Sequence, residues 1–320
     1  MLTKERFDTV TDDGVEIVGD YYPPPPAKGK NAPVVLLLHA VGPQRINASR
    51  KDWEKFPEQL QSKGYAVIAF DFRGYGDSTK ITKPEKYWQV PAAGLLGPHV
   101  PKRSFPAKNP PIKIDLRDYG SPTELAQLGN DLIAIKRWAH YKNDASELNS
   151  GNMIVIGAEQ GAVIGALWAY NEFVMPTRQR GPGKWEGEDI SCVVWLSLQP
   201  FLGNSNIESA TLKKCLMAMK DKFPTLAMYG DTDNMRRNFW NRALEWIKPQ
   251  DQSERFKGTG VWPIKGTNLA GTKLLGNEAF GSEKTIIDYI EKYKNDNLWR
   301  GMKVNDQPAL FVTAHLNLPR

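Results

Sequence analysis

The fold is decided by one segment, residues 152–170, which reads NMIVIGAEQGAVIGALWAY. Residues 153–156 form a short apolar run rich in β-branched side chains, which is typical of a buried strand. Residues 157–161 include two glycines and predict a sharp turn. From residue 162 onwards apolar side chains recur at helical spacing, which predicts a helix. The segment therefore predicts a strand, a tight turn and a helix in direct succession.

This strand–turn–helix segment resembles the nucleophile elbow of the α/β-hydrolase fold superfamily, whose pattern is G-x-S-x-G. Gly157 and Gly161 occupy the two glycine positions, where the turn is tight and the helix must pack close to the strand. Glu159 stands at the nucleophile position, in place of Ser, Cys or Asp. The resemblance implies an α/β architecture, with a mostly parallel central sheet and helices on both faces, and an altered catalytic centre.

Two further motifs earlier in the chain support the resemblance. Residues 36–42 read LLLHAVG and resemble LLLHGxG, and residues 64–78 read GYAVIAFDFRGYGDS and resemble GYxVxxxDxRGxGxS. In the family the first of these turns supplies one backbone N–H of the oxyanion hole, which makes Val41 one oxyanion-hole position. Gln160, directly after the nucleophile position, is the other. The resemblance gives His39 a structural role beneath the loop, and not that of the catalytic base.

The acid and base positions of the family's catalytic triad lie in the second half of the chain. Residues 223–233 read FPTLAMYGDTD and resemble P-x-L-x-x-x-G-x-x-D, so Asp233 keeps the acid position. Residues 266–275 read GTNLAGTKLL and resemble G-x-x-x-H-G-x-x-L-L, with Ala270 where the family has its histidine. The triad positions implied by the resemblance are thus Glu159, Asp233 and Ala270, and this degenerate triad lacks the nucleophile and the base.

No histidine falls at the base position in any nearby register. A shift of one or two residues would place Leu269 or Asn268 there instead of Ala270. Of the other histidines, His140 is expected to interact with the C-terminus of its own helix. His99 and His315 lie in irregular segments, and either could fold over the pocket.

A single domain is expected over residues 1–320, with two departures from the family's pattern. Residues 79–119 form an irregular insertion over the pocket face, too long for an ordinary connection. Its proline and basic content predicts little contribution to the core, and it either binds a partner or covers the sheet edge. Residues 296–320 form a C-terminal extension. A protein partner, or self-association, is expected through these two segments.

Composition predicts a soluble globular protein. Of the 320 residues, 41% are apolar and 24% are charged, and the net charge of +6 accompanies no nucleic-acid-binding motif. No apolar run reaches the roughly 18 residues that span a bilayer, and the N-terminus lacks the apolar core of a signal peptide. A cytoplasmic location is therefore expected, unless a leader has been removed. The two cysteines are too few for a disulfide framework, and no motif implies a cofactor or a metal.

Two functions compete for a chain with these triad positions. A non-catalytic homologue, a pseudoenzyme that binds, scaffolds or assembles, is favoured, because acyl transfer needs a nucleophile, a base and a group that orients the base. The alternative is an esterase-like hydrolase with altered machinery, in which the carboxylates of Glu159 and Asp233 carry the chemistry.

The charge of Glu159 has two predicted environments. Beside Asp233 in the pocket, it would face a second carboxylate that repels it. Paired with a cation, it would seal the old active site, and the candidates are Arg45, on the loop after His39, and a lysine of the insertion. The pairing is favoured, because an unpaired buried charge is costly.

Overall fold

The computed structural model describes residues 3–88, 109–114, 116, 121–174, 186–304, 316 and 318. Its centre is a sheet of eight strands, and a separate two-stranded hairpin, β7–β8, follows the sixth of them. In chain order the strands are β1 (Glu5–Val10), β2 (Glu16–Tyr22), β3 (Pro33–Leu38), β4 (Ala66–Phe70), β5 (Asn149–Ala158), β6 (Ile190–Leu196), β7 (Phe201–Leu202), β8 (Ser205–Asn206), β9 (Thr225–Gly230) and β10 (Gly260–Ile264).

The strand order across the sheet is β1-β2-β4-β3-β5-β6-β9-β10. The pairs β1–β2 and β2–β4 are antiparallel, whereas every pair from β4 to β10 is parallel. β3, β5 and β6 are buried along their whole length, as expected for parallel strands covered on both faces. The carboxyl ends of β5, β6 and β9 therefore meet at one edge of the sheet, where the predicted site lies.

Helices connect the strands and cover the sheet. In chain order they are α1 (Phe56–Ser62), α2 (Pro84–Tyr87), α3 (Pro122–Ala126), α4 (Gly129–Asp144), α5 (Gln160–Val174), α6 (Lys213–Met219), α7 (Asn234–Ile247) and α8 (Ser282–Tyr293). Alternate residues of β3 pack on opposite faces, because side chains of a strand alternate. Val34, Leu36 and Leu38 pack in the cluster that contains residues of α4 and α5. Val35 and Leu37 pack in the cluster that contains residues of α1 and α8. The predicted architecture, a mostly parallel sheet with helices on both faces, is confirmed.

The described ends of the 79–119 insertion contribute to the core, so the prediction that this segment adds little to it is wrong there. Ile81, Tyr87 and Ile114 are buried in the same cluster as β3 and α5. The two ends also pair with each other, since Ile81 N donates to Ile112 O at 2.8 Å. The middle of the insertion lies outside the described residues, and its predicted partner stays a prediction.

The C-terminal extension begins at the end of β5 that is far from the elbow. Asn149 Nδ2 donates to Asn297 O at 2.8 Å, and Asn297 Nδ2 donates to Gly151 O at 2.8 Å. These reciprocal bonds attach residues 296–304 to the start of the strand. Residues 305–315 lie outside the described part, so the association predicted for the extension is not addressed by these contacts.

Candidate functional site

The turn after β5 places Glu159 in an unusual backbone conformation. This single residue joins β5 to α5 with a φ of +50°, a value that is uncommon for residues other than glycine. The flanking glycines are required by close packing. A Cβ at Gly157 would lie 2.7 Å from the Cα of Ala162, and a Cβ at Gly161 would overlap the carbonyl oxygen of His39. The elbow predicted from the two glycines is therefore present.

The carboxylate of Glu159 is held by Arg45, in the loop that follows β3. Arg45 Nη2 donates to Oε2 at 2.9 Å and Arg45 Nε donates to Oε1 at 3.1 Å, which makes a two-point contact across the carboxylate. Glu159 is 8% exposed. The pairing favoured from the sequence, with Arg45 as one of two candidate cations, is confirmed.

A second guanidinium, that of Arg236 in the first turn of α7, lies between the carboxylates of Glu159 and Asp233. Its Nη2 is 3.5 Å from Glu159 Oε2, and its Nη1 is hydrogen-bonded to Asp233 Oδ2. Its Nε donates to the carbonyl oxygen of Ser197 at 2.9 Å, and Nη2 also donates to Gln199 Oε1 at 3.2 Å. Arg236 is 6% exposed. The two acidic positions are thus bridged by a buried cation.

Arg236 is the residue of this site that the sequence analysis missed. Asp233 is the N-cap of α7, and its Oδ1 accepts a hydrogen bond from Arg236 N at 3.1 Å. Residues three apart at the start of a helix are neighbours, so an acidic cap followed three residues later by arginine was the available signal. The carboxylate that would orient a histidine in the family instead caps a helix and pairs with this arginine.

The sequence-predicted positions converge on one cavity of about 330 Å³. Val41, Glu159, Gln160 and Ala270 all line it, and Asp233 lies behind Arg236. The other lining residues are Gln44, Arg45, Gln199, Met235, Arg236 and Asn268. The structure therefore brings together the nucleophile, oxyanion-hole and base positions of the resemblance.

Gln160 attaches the β7–β8 hairpin to the elbow. Its Nε2 donates to Gly203 O at 2.9 Å, and its Oε1 accepts from Gly203 N at 2.8 Å. Its backbone N–H is the first of α5, and the first N–H groups of a helix have no intrahelical acceptor. The side chain at this oxyanion-hole position therefore has a structural role, while the backbone belongs to the wall of the cavity.

His39 has the structural role that the resemblance implied. It is fully buried, its Nε2 accepts a hydrogen bond from Phe72 N at 3.0 Å, and its Nδ1 lies 2.7 Å from Ala40 O. These partners require a neutral ring with the proton on Nδ1. Burial lowers the pKa of His39, because the interior disfavours the protonated ring.

The lowered pKa of His39 gives a pH-dependent contribution to stability. Below about pH 6.5 the unfolded chain binds a proton at this histidine that the folded protein does not, so the free energy of unfolding falls on acidification. We expect the advantage of wild type over His39→Gln to decrease by up to about 1.4 kcal/mol per pH unit below that point. Urea unfolding of both proteins between pH 5 and pH 8 measures this difference in the free energy of unfolding. Parallel pH profiles of that free energy would contradict the prediction.

His140 lies near the C-terminal end of α4, and its predicted interaction with that helix terminus stays a prediction. It is buried in α4, with Nδ1 2.7 Å from Ser150 Oγ and Nε2 3.8 Å from Asp189 Oδ2. Ser150 lies near the start of β5, so this histidine is at the opposite end of the strand from the elbow. His99 and His315 lie outside the described residues.

The described part of the chain offers no alternative nucleophile in its cysteines. Cys192 and Cys215 are both buried and unbridged. Burial raises the pKa of each thiol to about 12, and a protonated buried thiol is unreactive. Within the same residues, no three His, Cys, Asp or Glu side chains come together as a metal site. No helix found there is both long enough and apolar enough to cross a membrane.

A family profile described as alpha/beta hydrolase fold matches residues 33–178. No curated protein matches the chain. An esterase of Pyrococcus furiosus is similar in structure, with 14% sequence identity and a TM-score of 0.52, over 92% of this chain and 92% of that chain. The esterase domain of a Rhodothermus marinus protein has 12% identity and a TM-score of 0.52, over 91% of this chain and 99% of that chain. Similarity at these identities concerns the fold.

Proposed function

This chain has the α/β-hydrolase fold, and on that premise we propose that it is a non-catalytic homologue whose elbow pocket binds rather than cleaves. One observation carries the proposal: the carboxylate at the nucleophile position is held by Arg45 and contacted by Arg236. Ester cleavage in this fold needs a nucleophile activated by a base. Arginine keeps its proton at all physiological pH values, so neither guanidinium can serve as that base.

The position of Arg236 adds a second argument. In a catalytic member of the fold, a histidine stands between the acid and the nucleophile. Here Arg236 joins Asp233 to Glu159, and it also donates through Nε to Ser197 O and through Nη2 to Gln199 Oε1. A base supplied from elsewhere in the chain would have to displace a buried cation that has four partners.

The alternative, an esterase-like hydrolase that uses Glu159 and Asp233, is favoured by the cavity itself. The elbow still opens on a space of about 330 Å³, and Val41 and Gln160 still line it. Esterases of Pyrococcus furiosus and Rhodothermus marinus have similar folds. In this alternative the Glu159 carboxylate, after leaving Arg45, would attack the acyl carbon of an ester and expel the alkoxide, which takes a proton from water. Water would then hydrolyse the resulting acyl anhydride and regenerate Glu159.

An ester-hydrolysis assay distinguishes the two functions. We expect neither wild type nor Glu159→Ser to hydrolyse p-nitrophenyl acetate or butyrate above the rate of heat-denatured protein, because a serine there has no base to activate it. Thermal unfolding would verify that the variant is folded. Turnover by wild type that disappears in Glu159→Gln would favour the alternative. Turnover gained by Glu159→Ser would reveal a base, with His99 the first residue to test.

Scaffolding through a protein partner remains part of this proposal. The segments predicted to carry it, 79–119 and 296–320, are only partly described. The described ends of the first are packed in the core, so an association test must retain them. Light scattering of the full chain and of a variant that lacks residues 89–108 would compare their oligomeric states. A difference would show that the middle of the insertion mediates self-association.

A further inference from the structure

The cavity at the elbow keeps hydrogen-bond donors that no described residue uses. Arg45 contacts Glu159 through Nε and Nη2 only, which leaves Nη1 without an acceptor among the described residues. Its side chain is 38% exposed and lines the cavity. A guanidinium carries five N–H groups, so Arg45 can hold Glu159 and a second acceptor at the same time.

The amide side chains of the wall add further donors. Gln199 Oε1 faces the guanidinium of Arg236, which can only donate, so Gln199 Nε2 is left as a donor. The amides of Gln44 and Asn268 line the cavity and have no side-chain partner in the part of the chain described. The wall therefore offers one guanidinium nitrogen and three amides to a ligand.

The charges at the cavity balance, and one charged donor is left over. Among the described lining residues the only carboxylate is that of Glu159, which two guanidinium groups already contact. Asp233, behind the wall, pairs with Arg236, so Glu159 and Asp233 together offset the charges of Arg45 and Arg236. The free amides of Gln44 and Asn268 carry an acceptor as well as donors. The charged atom with no described acceptor is therefore Arg45 Nη1, and a ligand with a negatively charged acceptor suits it best.

One exposed apolar side chain lines the cavity among the polar ones. Met235 belongs to the wall and is 43% exposed. An exposed apolar side chain in the wall of a polar cavity can pack against the aliphatic part of a ligand.

We propose that the elbow pocket binds a short aliphatic carboxylate. The carboxylate accepts hydrogen bonds from Arg45 Nη1 and from the amides of Gln199 and Asn268, and the alkyl chain lies along Met235. The volume of about 330 Å³ lies at the lower end of the range for small-molecule sites. This inference rests on the proposed function, because it assigns a ligand to a pocket that binds without turnover.

Glu159 then sets the affinity of the pocket. Its carboxylate accepts hydrogen bonds from Nε and Nη2 of Arg45, and it places a negative charge next to the bound ligand. Glu159→Gln keeps the size of the side chain but removes its negative charge. The Nε and Nη2 groups of Arg45 then become available to the ligand. A charge-assisted hydrogen bond contributes about 1.5–3 kcal/mol, so this variant should bind the carboxylate about tenfold more tightly or better.

Calorimetric titration with hexanoate, and with hexanamide as its uncharged match, tests the proposal. For wild type we expect hexanoate to bind at least about tenfold more tightly than hexanamide. For Glu159→Gln we expect hexanoate binding to strengthen by about tenfold, with hexanamide changed little. The double variant Arg45→Gln/Glu159→Gln, which leaves no carboxylate unpaired, should bind the two compounds equally weakly.

Arg237→Gln is the matched control for net charge. Arg237 is the exposed neighbour of Arg236, and it is not part of the cavity wall. The Arg237→Gln variant should bind hexanoate with an affinity within about twofold of that of wild type, since exposed charges are screened. Equal affinity of wild type for hexanoate and hexanamide would overturn the proposal, even if the double variant failed to fold. No hexanoate binding by either wild type or Glu159→Gln would also overturn it.

The readout is independent of turnover, because hexanoate has no ester bond. Ester hydrolysis by wild type would overturn the proposed function and leave a hexanoate site standing. Absence of both hydrolysis and hexanoate binding would overturn this inference alone.

Discussion

Gly161→Ala is expected to destabilise the protein by about 3 kcal/mol or more, which makes it one of the two most damaging single changes at this site. The added Cβ would overlap the carbonyl oxygen of His39 and lie 3.1 Å from that of Leu38. Both obstacles are backbone atoms at the end of β3, so they cannot move aside by a change of rotamer. Relief requires that α5 move away from the sheet, which would open the packing of Ala162 and Val163 behind it.

Gly260→Ala is the matched control for Gly161→Ala. Gly260 lies in the edge strand β10, and a Cβ there would meet no atom within 4 Å. This change should alter the free energy of unfolding by no more than about 0.5 kcal/mol. Urea unfolding of the three proteins measures both effects. A loss at Gly161 no larger than that at Gly260 would mean that the helix is not held as close to β3 as the structure places it.

The elbow was predictable because its determinants are local. Gly157 and Gly161 flank one residue, and the apolar periodicity changes from that of a strand to that of a helix across them. The same holds for Val41 and Asp233, which follow strands in recognisable motifs. In each case the residues that fix the backbone lie within a few positions of the residue whose place was predicted.

The contacts of Glu159 depend on the fold and were harder to predict from the sequence. Arg45 lies 114 residues away in sequence, and it could be nominated only because the resemblance places its loop beside the elbow. Arg236 is close in sequence to Asp233, yet its other partners, Ser197 and Gln199, follow β6. Only the parallel order of β5, β6 and β9 brings these three strand ends together.

The wrong prediction for the insertion has a comparable origin. The insertion was expected to avoid the core on the basis of its average composition, but burial is decided by single residues such as Ile81 and Tyr87. The contact of His140 with Ser150 was also not predicted, because the start of β5 passes beside α4 and no local signal reveals that contact.

Arg236→Met is expected to cost about 3–5 kcal/mol, because it removes one partner from a buried set of charges. Methionine keeps much of the length and the apolar packing of the side chain. The decrease in the free energy of unfolding therefore measures the contribution of the guanidinium group. Without it, Asp233 loses its ion pair, the carbonyl oxygen of Ser197 loses a donor, and Glu159 faces Asp233 with no cation between them. Urea unfolding at pH 7 measures the cost.

A double-mutant cycle with Glu159→Gln separates this repulsion from the lost packing. In the wild-type background Glu159→Gln should cost about 1–3 kcal/mol, because it breaks the pair with Arg45. In the Arg236→Met background it should cost less, or stabilise, because it also removes one of two carboxylates that now repel each other. The coupling between the two positions should reach about 1 kcal/mol or more. An equal cost of Glu159→Gln in both backgrounds would show that the 3.5 Å contact between Arg236 and Glu159 contributes nothing, and that Arg45 alone neutralises the elbow.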